Sequence, residues 1–112
     1  METKSALTAL TGLAQESRLA IFRLLVEQGP EGIAAGVLAE RLGLANATLS
    51  FHLKELSHAG LVTARQAGRF IYYSANFATM TELVAYLTEN CCRGKTCDIS
   101  CPQVSQRKRR AS

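Results

Sequence analysis

The strongest constraint on the fold is a pair of short helical patterns joined by a glycine. The first pattern spans residues 34–42 and ends at Gly43, and the second begins near Asn46 and ends at Gly60. Within the second pattern, leucine recurs at the spacing of one helix face, at positions 49, 53 and 56. Two short helices joined by a tight turn predict a helix-turn-helix unit, whose second helix typically lies in the major groove of DNA.

A β-hairpin is predicted directly after this unit. Residues 61–64 and 70–74 are rich in β-prone side chains, and the loop predicted between them, residues 65–69, contains Gly68. A hairpin that follows a helix-turn-helix is a wing.

Helical periodicity predicts three more helices around the unit. These cover residues 5–13, a stretch from Glu16 to just before Gly29, and a final stretch from about 76 to 90 with Asn76 as its N-cap. Ile33 is expected to pair briefly as a strand. The predicted fold class is therefore mainly α with a small β-hairpin (α+β), a winged helix-turn-helix.

The length of the chain limits the core it can build. With 112 residues, 47% of them hydrophobic, the chain supports a single modest core that is small relative to its surface. A second copy would supply additional burial, so we expect an oligomer. We place a DNA-binding and dimerisation domain at residues 1–90, and a cysteine-rich segment with a disordered basic tail at residues 91–112.

The charge of the chain favours an anionic partner. The formal net charge is +4 and the pI is near 9.1, which points first to nucleic acid and second to a membrane surface. No apolar run approaches the ~18 to 20 residues that span a bilayer, and the N-terminus lacks the layout of a signal peptide. We therefore expect a cytoplasmic protein that binds double-stranded DNA and no membrane.

All four cysteines lie between residues 91 and 101. A reducing cytoplasm argues against a structural disulfide, so metal binding or thiol chemistry is expected. Cys91 and Cys92 follow the predicted final helix, and Gly94 gives the chain freedom to bring Cys97 towards them. Three thiolates suit arsenic(III) and four ligands suit zinc, so spacing alone leaves arsenite, antimonite, cadmium and zinc open.

Four segments, taken in order, resemble the ArsR/SmtB family of metalloregulatory repressors. They are residues 38–44 (LAERLGL), 48–56 (TLSFHLKEL), 59–62 (AGLV), and the pair Gly68-Arg69 followed by Tyr72-Tyr73. The resemblance covers roughly residues 5–90. It implies a winged-helix dimer in which the first and last helices pack across a two-fold axis, and DNA binding in the absence of an inducer.

The family places its sensor sites in several locations, and two of these lack their ligands here. Residues 37–42 contain no cysteine for an arsenite site in the third helix, and residues 76–90 contain neither aspartate nor histidine for a zinc site in the last. The chain resembles instead the arsenic-responsive branch with adjacent cysteines beyond the last helix, here Cys91 and Cys92, joined by Cys97. Cys101 is a spare, an exchange partner or a fourth ligand.

The resemblance thus implies a repressor that releases DNA when it binds As(III), or Sb(III), with no organic cofactor. On the recognition helix, the side chains expected to contact DNA are Asn46, Ala47, Thr48, Ser50, Phe51 and Lys54. In the wing, those expected at the minor groove or flanking phosphates are Arg65, Gln66 and Arg69. A two-fold dimer predicts an inverted-repeat operator.

Three alternatives use the same cysteines. A redox-responsive repressor would release DNA on cysteine oxidation, and a structural zinc site would use all four sulfurs without switching. A small thiol enzyme such as an arsenate reductase would use Cys97 as nucleophile, but no anion-binding loop precedes the cysteines and the basic wing would have no role. We therefore predict a protein that is not an enzyme.

Overall fold

The computed structural model describes residues 1–94. The predicted ligands Cys97 and Cys101 and the basic tail lie outside the described residues. In chain order the elements are α1 (Thr3–Leu13), α2 (Glu16–Gln28), β1 (Ile33–Ala34), α3 (Ala35–Leu42), α4 (Asn46–His58), β2 (Val62–Ala67), β3 (Phe70–Ala75), α5 (Phe77–Leu87) and a short 3-10 helix (Cys91–Gly94).

The helix-turn-helix is formed by α3 and α4, as predicted. Gly43 ends α3 in the left-handed conformation (φ 67°), and its N–H donates to the carbonyl groups of Ala39 and Glu40. Glycine adopts this conformation without a steric penalty, so the chain turns sharply and α4 begins at Asn46.

The three strands form one antiparallel sheet in the order β1-β3-β2. Ile33 lies opposite Tyr73, which confirms the brief strand predicted there. In the hairpin, pairing runs from Val62 opposite Ala75 to Ala67 opposite Phe70.

The loop predicted over residues 65–69 is longer than the one in the structure. Arg65 and Gln66 belong to β2, where they face Tyr72 and Ile71, and only Gly68 and Arg69 form the turn. Cross-strand pairs with aromatic and β-branched partners stabilise the ladder, so the strands continue to a two-residue turn.

The core lies between the helices and the inner face of the sheet. Its largest fully buried side chains come from α2, α3, α4 and the start of the hairpin: Ile21, Leu25, Leu38, Leu49, Leu56 and Leu61. The small residues of α1 face the core: Ala6, Ala9 and Gly12 are buried, while Leu7 and Leu10 are exposed. A Cβ atom at Gly12 would lie 2.8 Å from the Cβ of Ala59, so α1 packs closely on the end of α4.

The last helix is shorter than predicted. α5 ends at Leu87, and Asn90 adopts the left-handed conformation (φ 57°) before the 3-10 helix. The Thr88 hydroxyl donates to the carbonyl of Val84 at 2.8 Å, and asparagine tolerates the left-handed region better than most residues, which accounts for the break. Within residues 1–94, no helix has both the length and the apolar character needed to cross a bilayer.

Candidate functional site

One face of α4 anchors the helix and the opposite face is open. Leu49, Leu53 and Leu56 are each at most 3% exposed. The residues predicted to contact DNA are all exposed: Asn46, Ala47, Thr48, Ser50, Phe51 and Lys54. The buried stripe therefore fixes the helix to the core and presents the predicted contact face to an external partner.

The N-terminus of α4 has no side-chain cap. The N-cap residue is Ala45, in an extended conformation, and its methyl group cannot accept a hydrogen bond. The first N–H groups of a helix carry a partial positive charge and favour anions such as phosphate. Thr48 and Ser50 lie inside the helix and do not occupy the capping position.

His52 lies on the buried side of α4 and is 8% exposed, so it packs against the core and does not belong to the open face. Its ring meets that of the exposed Phe51 edge-on, with the ring centres 5.4 Å apart. The buried Nδ1 atom has no hydrogen-bond partner within the described part of the chain. His52 thus packs beside the one large aromatic side chain on the open face.

The turn of the wing presents Arg69 to solvent. Beside it, the Gln66 amide donates to the carbonyl of Gly68 at 3.4 Å. Arg65 lies lower in β2 and has two partners that sequence reasoning did not find. Its guanidinium carbon lies 5.0 Å from the centre of the Tyr72 ring, and its Nη2 donates to the carbonyl of Glu31 at 3.1 Å.

Cys91 and Cys92 bring two sulfur atoms together just beyond α5. The two Sγ atoms lie 3.5 Å apart, and both residues are exposed. Two thiolates that share one tetrahedral zinc ion lie about 3.8 Å apart, given Zn–S bonds of ~2.3 Å, so the pair fits a single soft ion. Among residues 1–94, no group of three or more histidine, cysteine or acidic side chains is placed to hold a metal. A third sulfur would have to come from another part of the chain.

α1 and α5 expose apolar side chains. The two helices are linked by a hydrogen bond between the hydroxyl groups of Thr3 and Tyr86. Four large apolar residues of these helices are 38–59% exposed, namely Leu7, Leu10, Val84 and Leu87, and we call this set the α1–α5 face. Apolar side chains concentrated on two neighbouring helices mark an interaction surface.

Comparison with known proteins identifies relatives that regulate transcription. Residues 13–65 match the family model described as a helix-turn-helix domain. The transcriptional activator HlyU of Vibrio cholerae is 30% identical, over 83% of this chain and 85% of its own. Nodulation protein NolR of Rhizobium meliloti is 34% identical over 71% of this chain. None of these relatives is named as an enzyme, in agreement with the prediction.

A similar solved structure is the homodimeric winged helix-turn-helix domain Mb0332 of Mycobacterium bovis, described as a possible ArsR-family transcriptional regulator. It is 28% identical with a TM-score of 0.62, and the match covers 84% of this chain and 87% of that one. The chain spans 63% of the length of NolR and 61% of a second curated relative. The likeness confirms the winged helix-turn-helix fold.

Proposed function

Because the chain belongs to the ArsR-like family of winged-helix transcriptional regulators, we propose that it is a metalloid-responsive repressor. In this proposal a homodimer binds an inverted-repeat operator and leaves it when the C-terminal cysteines bind As(III) or Sb(III). The observation that carries a thiol-based sensor is the 3.5 Å separation of the Cys91 and Cys92 sulfur atoms just beyond α5. The resemblance to the arsenic-responsive branch selects As(III) or Sb(III) among the soft ions.

The open face of α4 supplies the contacts with base edges in the major groove. The Asn46 amide pairs with an adenine edge, and the apolar Ala47 and Phe51 pack against thymine methyl groups. Lys54 neutralises a phosphate, and the hydroxyl groups of Thr48 and Ser50 donate to bases or phosphates. At the wing, Gln66 and Arg69 approach the minor groove and its phosphates.

The α1–α5 face supplies the contact between two copies. Its four apolar side chains gain free energy when they leave water, at ~25 cal/mol per Å². A two-fold axis through this face presents two copies of α4, which fit half-sites about one or two turns of DNA apart.

The cysteines supply soft donors for the inducer. Cys91 and Cys92 contribute two thiolates, and Cys97 is the third donor in this proposal, with Cys101 as a spare or a further ligand. Arsenic(III) is thiophilic and is satisfied by three sulfurs, whereas zinc takes four ligands. Cys91 and Cys92 follow the last residue of α5 by four and five positions, so ligation reorganises the end of a helix that carries Val84 and Leu87 of the proposed dimer contact.

Release from DNA then follows from linkage. The inducer shifts the equilibrium only by its difference in affinity for the free and DNA-bound forms. A coupling of ~1–3 kcal/mol weakens DNA binding about 5- to 150-fold.

The test is DNA binding by the full chain in reducing buffer, with a duplex selected by the parent protein from a randomised pool. Sodium arsenite is expected to weaken binding by the parent about 5- to 150-fold. Cys91→Ser, Cys92→Ser and Cys97→Ser should each bind DNA as the parent does and lose the response. Cys101→Ser should also bind DNA as the parent does: a retained arsenite response makes Cys101 a spare, and a lost response makes it a further ligand.

The 3.5 Å separation also favours the redox alternative, in which Cys91 and Cys92 form a disulfide. In that reaction two thiols lose two protons and two electrons to hydrogen peroxide, which leaves as two water molecules. Release by peroxide but not by arsenite would select this alternative. Release of the triple variant Cys91→Ser/Cys92→Ser/Cys97→Ser by arsenite would refute the proposed sensor.

A further inference from the structure

The side chain of Arg65 crosses the sheet. Arg65 lies in β2 directly opposite Tyr72 of β3, and Tyr72 in turn lies opposite Ala34 of β1. The guanidinium group stacks over the Tyr72 ring, 5.0 Å from its centre, and reaches the carbonyl of Glu31, which precedes β1. Arg65 on β2 is therefore held both by Tyr72 on β3 and by the loop that precedes β1.

The loop that receives Arg65 is itself fixed. Gly32 follows Glu31, and a Cβ atom built on it would lie 2.6 Å from the carbonyl oxygen of Tyr73, so the loop is packed against β3. The Glu31 carbonyl is thus a firm attachment point, because its loop is packed against Tyr73 at the base of the hairpin and not against the turn at its tip.

The wing beyond Arg65 has little other support. β1 ends its pairing with β3 at Tyr72, so Gln66, Ala67 and the turn continue as a two-stranded hairpin. Two-stranded hairpins without a third strand are marginally stable in water. The angle at which Arg69 is presented therefore depends on the contacts at its base, and Arg65 makes two of them.

We infer that Arg65 is a positioning residue, whose guanidinium holds the wing at the angle that lets Arg69 reach the DNA phosphates. This inference rests on the proposed DNA-binding role of the wing, and it replaces the direct DNA contact that the sequence predicts for Arg65. The planar guanidinium suits the task, since it stacks on an aromatic ring and donates in its own plane at the same time.

The salt dependence of DNA binding separates positioning from direct contact. Each phosphate that the protein no longer neutralises makes the plot of log affinity against log salt shallower by about 0.9. A partly unfolded population reduces the apparent affinity by a nearly constant factor. The slope thus reports the contacts made by the folded protein.

The variants are compared on one duplex of about 30 base pairs, long enough for two half-sites, selected from a randomised pool by the parent. Arg69→Ala should make the slope shallower by about 0.9 for each phosphate that Arg69 neutralises. Arg65→Lys keeps the charge but removes the planar group, and Tyr72→Leu removes the ring, so both should make the slope shallower as Arg69→Ala does. Adding Arg69→Ala to Arg65→Lys should change it no further.

Tyr72→Phe is the matched control, because it keeps the ring, and it should retain the slope of the parent. A direct phosphate contact by Arg65 would give the opposite pattern: Arg65→Lys and Tyr72→Leu would keep the parental slope, and the positioning role would be overturned. An unchanged slope in Arg69→Ala would overturn it as well. If the parent selected no duplex at all, the proposed function itself would fail, and the inference with it.

Discussion

At the scale of single residues, Gly32 is the position least able to accept a side chain. Its φ of +79° lies in the region that favours glycine, and an added Cβ would lie 2.6 Å from the carbonyl oxygen of Tyr73. Both effects oppose substitution, so Gly32→Ala is expected to lower the free energy of unfolding by roughly 1–3 kcal/mol, as measured by urea denaturation.

Gly36 provides the control for this substitution. It lies in α3, and a Cβ atom there would meet nothing within 4 Å. Gly36→Ala should raise the free energy of unfolding by up to about 1 kcal/mol, because alanine loses less entropy in a helix. Equal effects of the two substitutions, in sign and size, would contradict the geometry around Gly32.

At the scale of secondary structure elements, α5 depends on its N-cap. The Asn76 side chain accepts a hydrogen bond from the Thr79 N–H at 3.2 Å, which confirms the predicted cap. Asn76→Ala should lower the free energy of unfolding by about 1 kcal/mol, while Asn76→Asp keeps the acceptor and most of the stability.

Asn46 gives a contrasting control at the start of α4, where Ala45 is the N-cap and no side chain caps the helix. Asn46→Ala should change stability by less than about 0.5 kcal/mol, yet weaken DNA binding. Thermal unfolding and DNA titration of both alanine variants check this pair. A stability loss confined to Asn46→Ala would show that the capping roles are reversed.

Periodicity predicted the elements well but not which face of α1 is buried. Leu7, Leu10 and Leu13 have helical spacing, yet Ala6 and Ala9 face the core and Leu7 and Leu10 face outward. The sequence shows which side chains share a face of a helix. It does not show which of two apolar faces packs against the core of the same chain and which is left for a second copy. Only the close approach of α1 to Ala59 decides the orientation.

Long-range partners were also beyond sequence reasoning. Local pattern placed Arg65 in a loop. Its contact with Glu31 spans 34 residues of chain, and its contact with Tyr72 depends on the register of the hairpin. The leucine stripe of α4 and its exposed opposite face, by contrast, follow from helix geometry alone and were predicted correctly. The position of Cys91 and Cys92 just after the final helix was likewise predicted, whereas the 3.5 Å distance between their sulfur atoms is known only from the structure.

At the scale of the whole molecule, the proposed dimer is held together by the α1–α5 face. Leu87 is 59% exposed, and a two-fold contact would bury it twice. Leu87→Glu removes about 1.5–3 kcal/mol of apolar burial from each copy and places a charge in the contact. We expect the dissociation constant of the dimer to rise at least roughly 100-fold, measured by sedimentation velocity over a range of concentrations.

Leu19 on α2 is the matched control, since it is 45% exposed and lies outside the α1–α5 face. Leu19→Glu should leave the association unchanged. A dimer that tolerates Leu87→Glu but dissociates with Leu19→Glu would place the contact on another side of the molecule.

Gly12 of α1 packs closely against Ala59 at the end of α4 and against Leu61, so that an added Cβ would lie 2.8 and 2.9 Å from their side chains. The contact between Gly12 and Ala59 therefore couples the position of α1 to that of α4. We expect a tilt of α1 caused by the second copy of the dimer to be passed on to α4. A bulkier residue at position 12 would push α1 away from α4 and so change the distance between the two recognition helices of the dimer.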